Sequence, residues 1–114
     1  MSTIVPVEDV RLLLTDMVDA AQKILTENWV GAKPFIEVES RHILDSIETI
    51  ARLKEAGKIS EEQARLHMNI QRETYLSLLL TVKGIRRVQA ENAVNGTLSV
   101  IRAAVNRLLG WSLL

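Results

Sequence analysis

The feature of this sequence that most limits its possible folds is a long run without punctuation. From Glu61 to Leu109 there is no proline, and the only glycines are Gly84 and Gly96. As one helix, such a run would be about 70–75 Å long at 1.5 Å per residue. A compact chain of 114 residues has a radius of gyration near ~13 Å and is therefore only about 35 Å across. The run must either fold back or project beyond the rest and be covered by other copies. Gly84 is a weak break, because one glycine costs only about 1 kcal/mol inside a helix. Asn95-Gly96-Thr97 is a better one, since Thr97 can cap a new helix. The expectation is one long third helix over about 61–109, with a kink or break near 84 or 95–96, in an oligomeric helical bundle. A closed monomeric four-helix bundle is the alternative.

The first sixty residues read as two shorter helices in the same single all-α domain, spanning 1–114. The first is expected over about 6–29. Pro6 suits a first-turn position, Glu8 and Asp9 follow it, and Val10, Leu13, Leu14, Met17, Ala21, Ile24 and Leu25 form one apolar stripe. Gly31 and Pro34 mark its end and the start of the second, over about 34–56. The second stripe is Ile36, Ile43, Leu44, Ile47, Ile50 and Ala51, with Gly57 as the stop. Ser60-Glu61-Glu62-Gln63 then has the form of a capping box, with Ile59 and Ala64 placed as a hydrophobic staple. Only Lys58 and Ile59 separate stop from start, so the second and third helices should form a tight antiparallel hairpin.

Composition narrows the function classes. There is no cysteine, which removes disulfide scaffolds, thiolate metal sites and thiol nucleophiles. The N-terminal residues lack the pattern of a secretory signal. No stretch approaches the roughly 18 apolar residues of a membrane span, and the expected location is cytoplasmic. The glycines are isolated, so no phosphate-binding loop is visible, and no nucleophile triad can be assembled from two histidines and scattered serines. The chain reads as a non-enzyme, with no cofactor and no small-molecule substrate.

The expected function is a structural or protein–protein interaction role through homo-oligomerisation of the long C-terminal helix. Tyr75 to Val82 is apolar nearly all round, and a helix of that kind must be surrounded. The expected interface is Tyr75, Leu78, Leu79, Leu80, Val82 and Ile85, continued by Ala93, Val94, Val100, Ile101, Ala104, Val105 and Leu108. A second reading is association with a membrane surface through the basic amphipathic C-terminal segment, which ends in Trp111-Ser112-Leu113-Leu114. Charge is graded along the chain although its net value is zero: residues 1–30 sum to −3 and residues 61–114 to +3. Lys83, Arg86, Arg87, Arg102 and Arg107 are the candidates for an anionic partner. Nucleic acid is disfavoured, since there is no strong positive charge, aromatic platform or motif. A third reading is a metal-binding bundle. Glu39 and His42 have the Glu-x-x-His spacing of carboxylate di-metal bundles, but His67 has Ala64 where the second glutamate should stand. The spacing is therefore only half of the motif.

Overall fold

A computed structural model describes residues 7–114, with side chains from Val10 onward. The proposed start at Pro6 and the side chains of Glu8 and Asp9 lie outside the described residues. The described chain is helical, with no strand: α1 is Val7–Ile24, α2 Trp29–Glu55, α3 Glu61–Leu80 and α4 Arg87–Leu109. Each helix runs antiparallel to the next. α1 packs on α2, α2 on α3, α3 on α4, and α4 closes the ring by its extensive packing on α1. The core comprises Met17, Ala21 and Leu25 of α1, Ile36, Ile43 and Ile50 of α2, Met68, Tyr75 and Leu79 of α3, and Val94, Leu98, Ile101 and Val105 of α4. Each large apolar side chain buried there contributes about 1.5–3 kcal/mol relative to exposure.

The last fifty residues are two helices, not one. The longest dimension of the bundle is 44 Å, well short of the continuous rod. The reversal occupies Thr81–Arg86, at the weaker of the two candidate breaks. Thr81 Oγ1 donates to the Leu78 carbonyl at 2.6 Å, which draws the end of α3 into a turn. Gly84 sits at φ 90°, a conformation costly for any residue with a Cβ. Arg86 N then donates to Gln89 Oε1 at 3.0 Å, capping the first turn of α4 from its third position. Asn95-Gly96 lies inside α4 instead. A Cβ on Gly96 would stand 2.8 Å from Ile24 Cδ1, so this glycine allows α1 and α4 to approach closely.

The first joint also differs from expectation. α1 stops at Ile24, and Thr26–Asn28 form a single 3-10 turn before α2 begins at Trp29. Gly31 and Pro34 thus fall within the first turns of α2. Pro34, the sixth residue of α2, has no N–H to donate to the Val30 carbonyl, so the second turn gives up one backbone hydrogen bond. Gly31 makes room for the α3–α4 joint, because a Cβ there would stand 3.2 Å from Val82 Cγ1.

The α2–α3 hairpin follows its sequence signals closely. Gly57 N donates to the Lys54 carbonyl at 3.0 Å and Lys58 N to the Leu53 carbonyl at 2.8 Å, with Gly57 at φ 69°; this is a Schellman ending. Ser60 Oγ accepts from Gln63 N at 3.1 Å, and Ser60 N donates to Gln63 Oε1 at 2.9 Å. Both halves of the capping box are made.

Candidate functional site

α3 carries two stripes. The inward one is Ala64, Met68, Tyr75 and Leu79, all buried. The outward one is Leu66, Ile70, Glu73, Ser77 and Leu80, at alternating steps of four and three residues. That alternation is the period of a coiled-coil seam. Leu66 is 58% exposed and Ile70 62% exposed, unusual for large aliphatic side chains side by side on a helix. Asn69, Thr74 and Leu78 complete a shallow, largely apolar depression along this face. Tyr75, Leu76 and Leu79 take the inward positions of the Tyr75–Val82 run, which leaves Leu80 and Ser77 outside.

The structure divides the sequence-derived interface. Tyr75, Leu79, Ile85, Ala93, Val94, Ile101 and Val105 are buried in the core of their own chain. While the bundle is closed, a second copy cannot touch them. Leu78, Val82, Val100 and Ala104 are half-buried, and Leu80 and Leu108 are exposed. Leu66 and Ile70, which are not among those residues, are exposed. Their seam was legible in the spacing, but it is interrupted by Glu73 and Ser77 and was masked by the stronger apolar run that follows.

The C-terminal segment is folded onto the bundle. Gly110 at φ 68° ends α4. Leu113 is buried, and its N donates to Asn106 Oδ1 at 3.0 Å. Lys54 Nζ donates to the Leu109 carbonyl and lies 4.8 Å from the centre of the Trp111 ring, a cation–π contact. Arg65 Nε donates to the Ser112 carbonyl at 3.2 Å. Leu109 and Leu113 are thus packed within the chain, Trp111 and Leu114 are half-buried, and Leu108 stays exposed. The five basic candidates do not form one patch. Lys83, Arg86 and Arg87 are exposed around the α3–α4 joint. Arg102 and Arg107 stand about 22 Å and 30 Å further along α4 at 1.5 Å per residue.

The core contains one polar cluster. Tyr75 OH lies 2.9 Å from Thr97 Oγ1. Thr97 Oγ1 donates its proton to the Ala93 carbonyl at 2.8 Å, so Tyr75 must be the donor to Thr97. Burial pushes the Tyr75 phenol up to about 12; the hydrogen bond to Thr97 opposes that rise and the nearby Glu39 carboxylate adds to it. Glu39 itself is buried, and its Oε1 lies 3.3 Å from Nδ1 of the exposed His42. Glu39 Oε2 and Ser40 Oγ are buried without hydrogen-bond partners among the described residues.

Glu39 and His42 therefore do meet, as the Glu-x-x-His spacing implies. No group of three or more His, Asp or Glu side chains converges among the described residues. His67 is exposed on α3, and Glu73 lies on its outer stripe. No described helix is long and apolar enough to cross a membrane. Comparison with protein-family models, with curated proteins and with solved structures finds no match to this chain.

Proposed function

We propose that this chain is a non-enzymatic helical interaction module that pairs with a second copy of itself along the outward seam of α3. The observation that supports this reading is the seam itself. Leu66 and Ile70 stand in register with Leu80 on the side of α3 opposite its core stripe, at the spacing by which helices interlock. A second copy is the fitting occupant. The seam carries a single charge, Glu73, and the chain has zero net charge, so two copies meet without long-range repulsion. The role expected of the long C-terminal helix thereby passes to α3, its N-terminal half, while α4 serves the core.

The contact is limited to the length of α3, about 30 Å for its 20 residues. That places it at the small end of specific interfaces, about 1,000 Å² in total, and the expected dissociation constant is roughly 1–100 µM. Light scattering coupled to size exclusion should show a dimer at several hundred micromolar and dissociation on dilution. Leu66→Glu with Ile70→Glu alters only exposed side chains and should give one chain at every concentration with helicity unchanged. A wild-type protein that stays a single chain throughout, or a double variant that still dimerises, would refute the proposal.

A further inference from the structure

The two joints α1–α2 and α3–α4 lie at the same end of the bundle, and Asn28 Nδ2 ties them by donating to the Gly84 carbonyl at 3.2 Å. This end combines two features. The first is exposed aliphatic surface at helix starts: Val30 is 88% exposed and Val88 68% exposed. The second is a concentration of positive charge. Residues 23–33 and 80–91, which make up this end, carry five bases and two acids, whereas the remainder of the chain carries nine bases and twelve acids. The neutral chain is therefore polarised, +3 at the tip and −3 elsewhere. Arg87 is engaged by Glu91 at 3.0 Å, while Lys83 and Arg86 make no ion pair among the described residues.

We propose that this tip docks on an anionic lipid surface, with Val30 and Val88 entering the interfacial layer and Lys83, Arg86 and Arg87 set against lipid phosphates and carboxylates. Basic side chains bordering aliphatic ones suit the headgroup–acyl boundary, where both kinds are satisfied at once. A nucleic acid would be served poorly by aliphatic side chains, which offer bases no ring to stack on. The basic cluster is the one recognised in the sequence, but its apolar complement comes from the bundle tip. The C-terminal segment, whose Leu109 and Leu113 are buried at the opposite end of the bundle, lies away from this tip. The inference does not depend on self-association, because Val30, Val88 and the three bases lie off the seam.

The test is co-sedimentation of the full chain with vesicles of phosphatidylcholine alone and of phosphatidylcholine with about a third phosphatidylserine, at low and high salt. Binding to the anionic vesicles alone, lost in high salt, is expected. Lys83→Glu with Arg86→Glu should weaken it at least tenfold, and Val30→Ser with Val88→Ser several-fold; all four side chains are exposed, and unchanged helicity verifies the fold. Deleting the apolar C-terminal tail from Trp111 onward should leave it within twofold. No binding to anionic vesicles, equal binding to neutral ones, or indifference to either double variant would overturn the assignment. So would tighter binding to a single-stranded oligonucleotide than to anionic vesicles at matched phosphate.

Discussion

Tyr75 is the only tyrosine in the chain, and its burial makes a prediction that can be read at one atom. Its phenol is raised from 10.0 to about 12, mainly because burial disfavours the phenolate. In the unfolded chain it ionises at the ordinary value. Below pH 10 both states hold the proton and the term is silent. Above it the unfolded state loses the proton first, so the folded state is progressively disfavoured as pH rises toward 12. The slope is about 1.4 kcal/mol per pH unit, for a total near ~3 kcal/mol. Tyr75→Phe removes that term and also the hydrogen bond to Thr97, which keeps its own bond to the Ala93 carbonyl. Losing one such bond costs about 1 kcal/mol. The variant should therefore be less stable than wild type by about 1 kcal/mol at pH near ~8, equal to it near pH ~11, and more stable beyond. Urea unfolding of both proteins across that range measures the difference, and tyrosinate absorbance of the folded wild type gives the ionisation directly. A phenol that titrates near 10 in the folded protein, or stability curves that never cross, would show that Tyr75 is not enclosed as described.

Two further substitutions probe the fold. Gly84→Ala introduces a Cβ at φ 90°, 2.8 Å from Asn28 Oδ1, and should destabilise the chain by about 2–4 kcal/mol, from backbone strain plus disruption of the Asn28 bond; a loss below about 1 kcal/mol in chemical denaturation would argue against the left-handed turn. Glu39→Leu removes a buried carboxylate oxygen that has no partner among the described residues and should leave stability unchanged or raise it by about 1–3 kcal/mol. A clear loss in its melting temperature would mean that Glu39 is held by a favourable contact beyond the His42 pair.

What could be read from the sequence depended on the kind of signal. The α2–α3 hairpin was legible because Gly57, Ser60 and Gln63 each perform a local task that no tertiary contact overrides. The α3–α4 reversal was also encoded locally, but less visibly. Ile59-Ser60 stands before Gln63-Ala64 as Ile85-Arg86 stands before Gln89-Ala90. The same Ile-x-x-x-Gln-Ala spacing opens both helices, with the glutamine side chain capping each first turn. Arginine in the cap position, which cannot accept a hydrogen bond through its side chain, hid the second instance. Gly31 and Gly96 misled for the opposite reason. Both read as breaks, whereas their role is to let neighbouring segments approach, at Val82 and Ile24. Such a role exists only once the partner segment is placed. The exposed apolar face of α3 was legible as a segment rather than as a face: the run from Tyr75 to Val82 is apolar nearly all round, and only the position of the core decides which residues remain outside.

Doubling back of the last fifty residues both closes the core and leaves the outer seam of α3 exposed, and an intramolecular distance tests it directly. The chain has no cysteine, so spin labels can be placed at Glu62→Cys and Arg107→Cys, both exposed, and diluted with unlabelled protein so that only distances within a chain register. The start of α3 and the end of α4 lie at the same end of a bundle whose two shorter dimensions are 28 and 19 Å. Pulsed dipolar spectroscopy should give a single narrow distribution below about 30 Å, whereas one continuous helix would separate the two sites by about 68 Å. The short distance is the predicted result. A population centred near ~68 Å would contradict the reversal at Gly84 and, with it, the seam on which the proposed pairing rests.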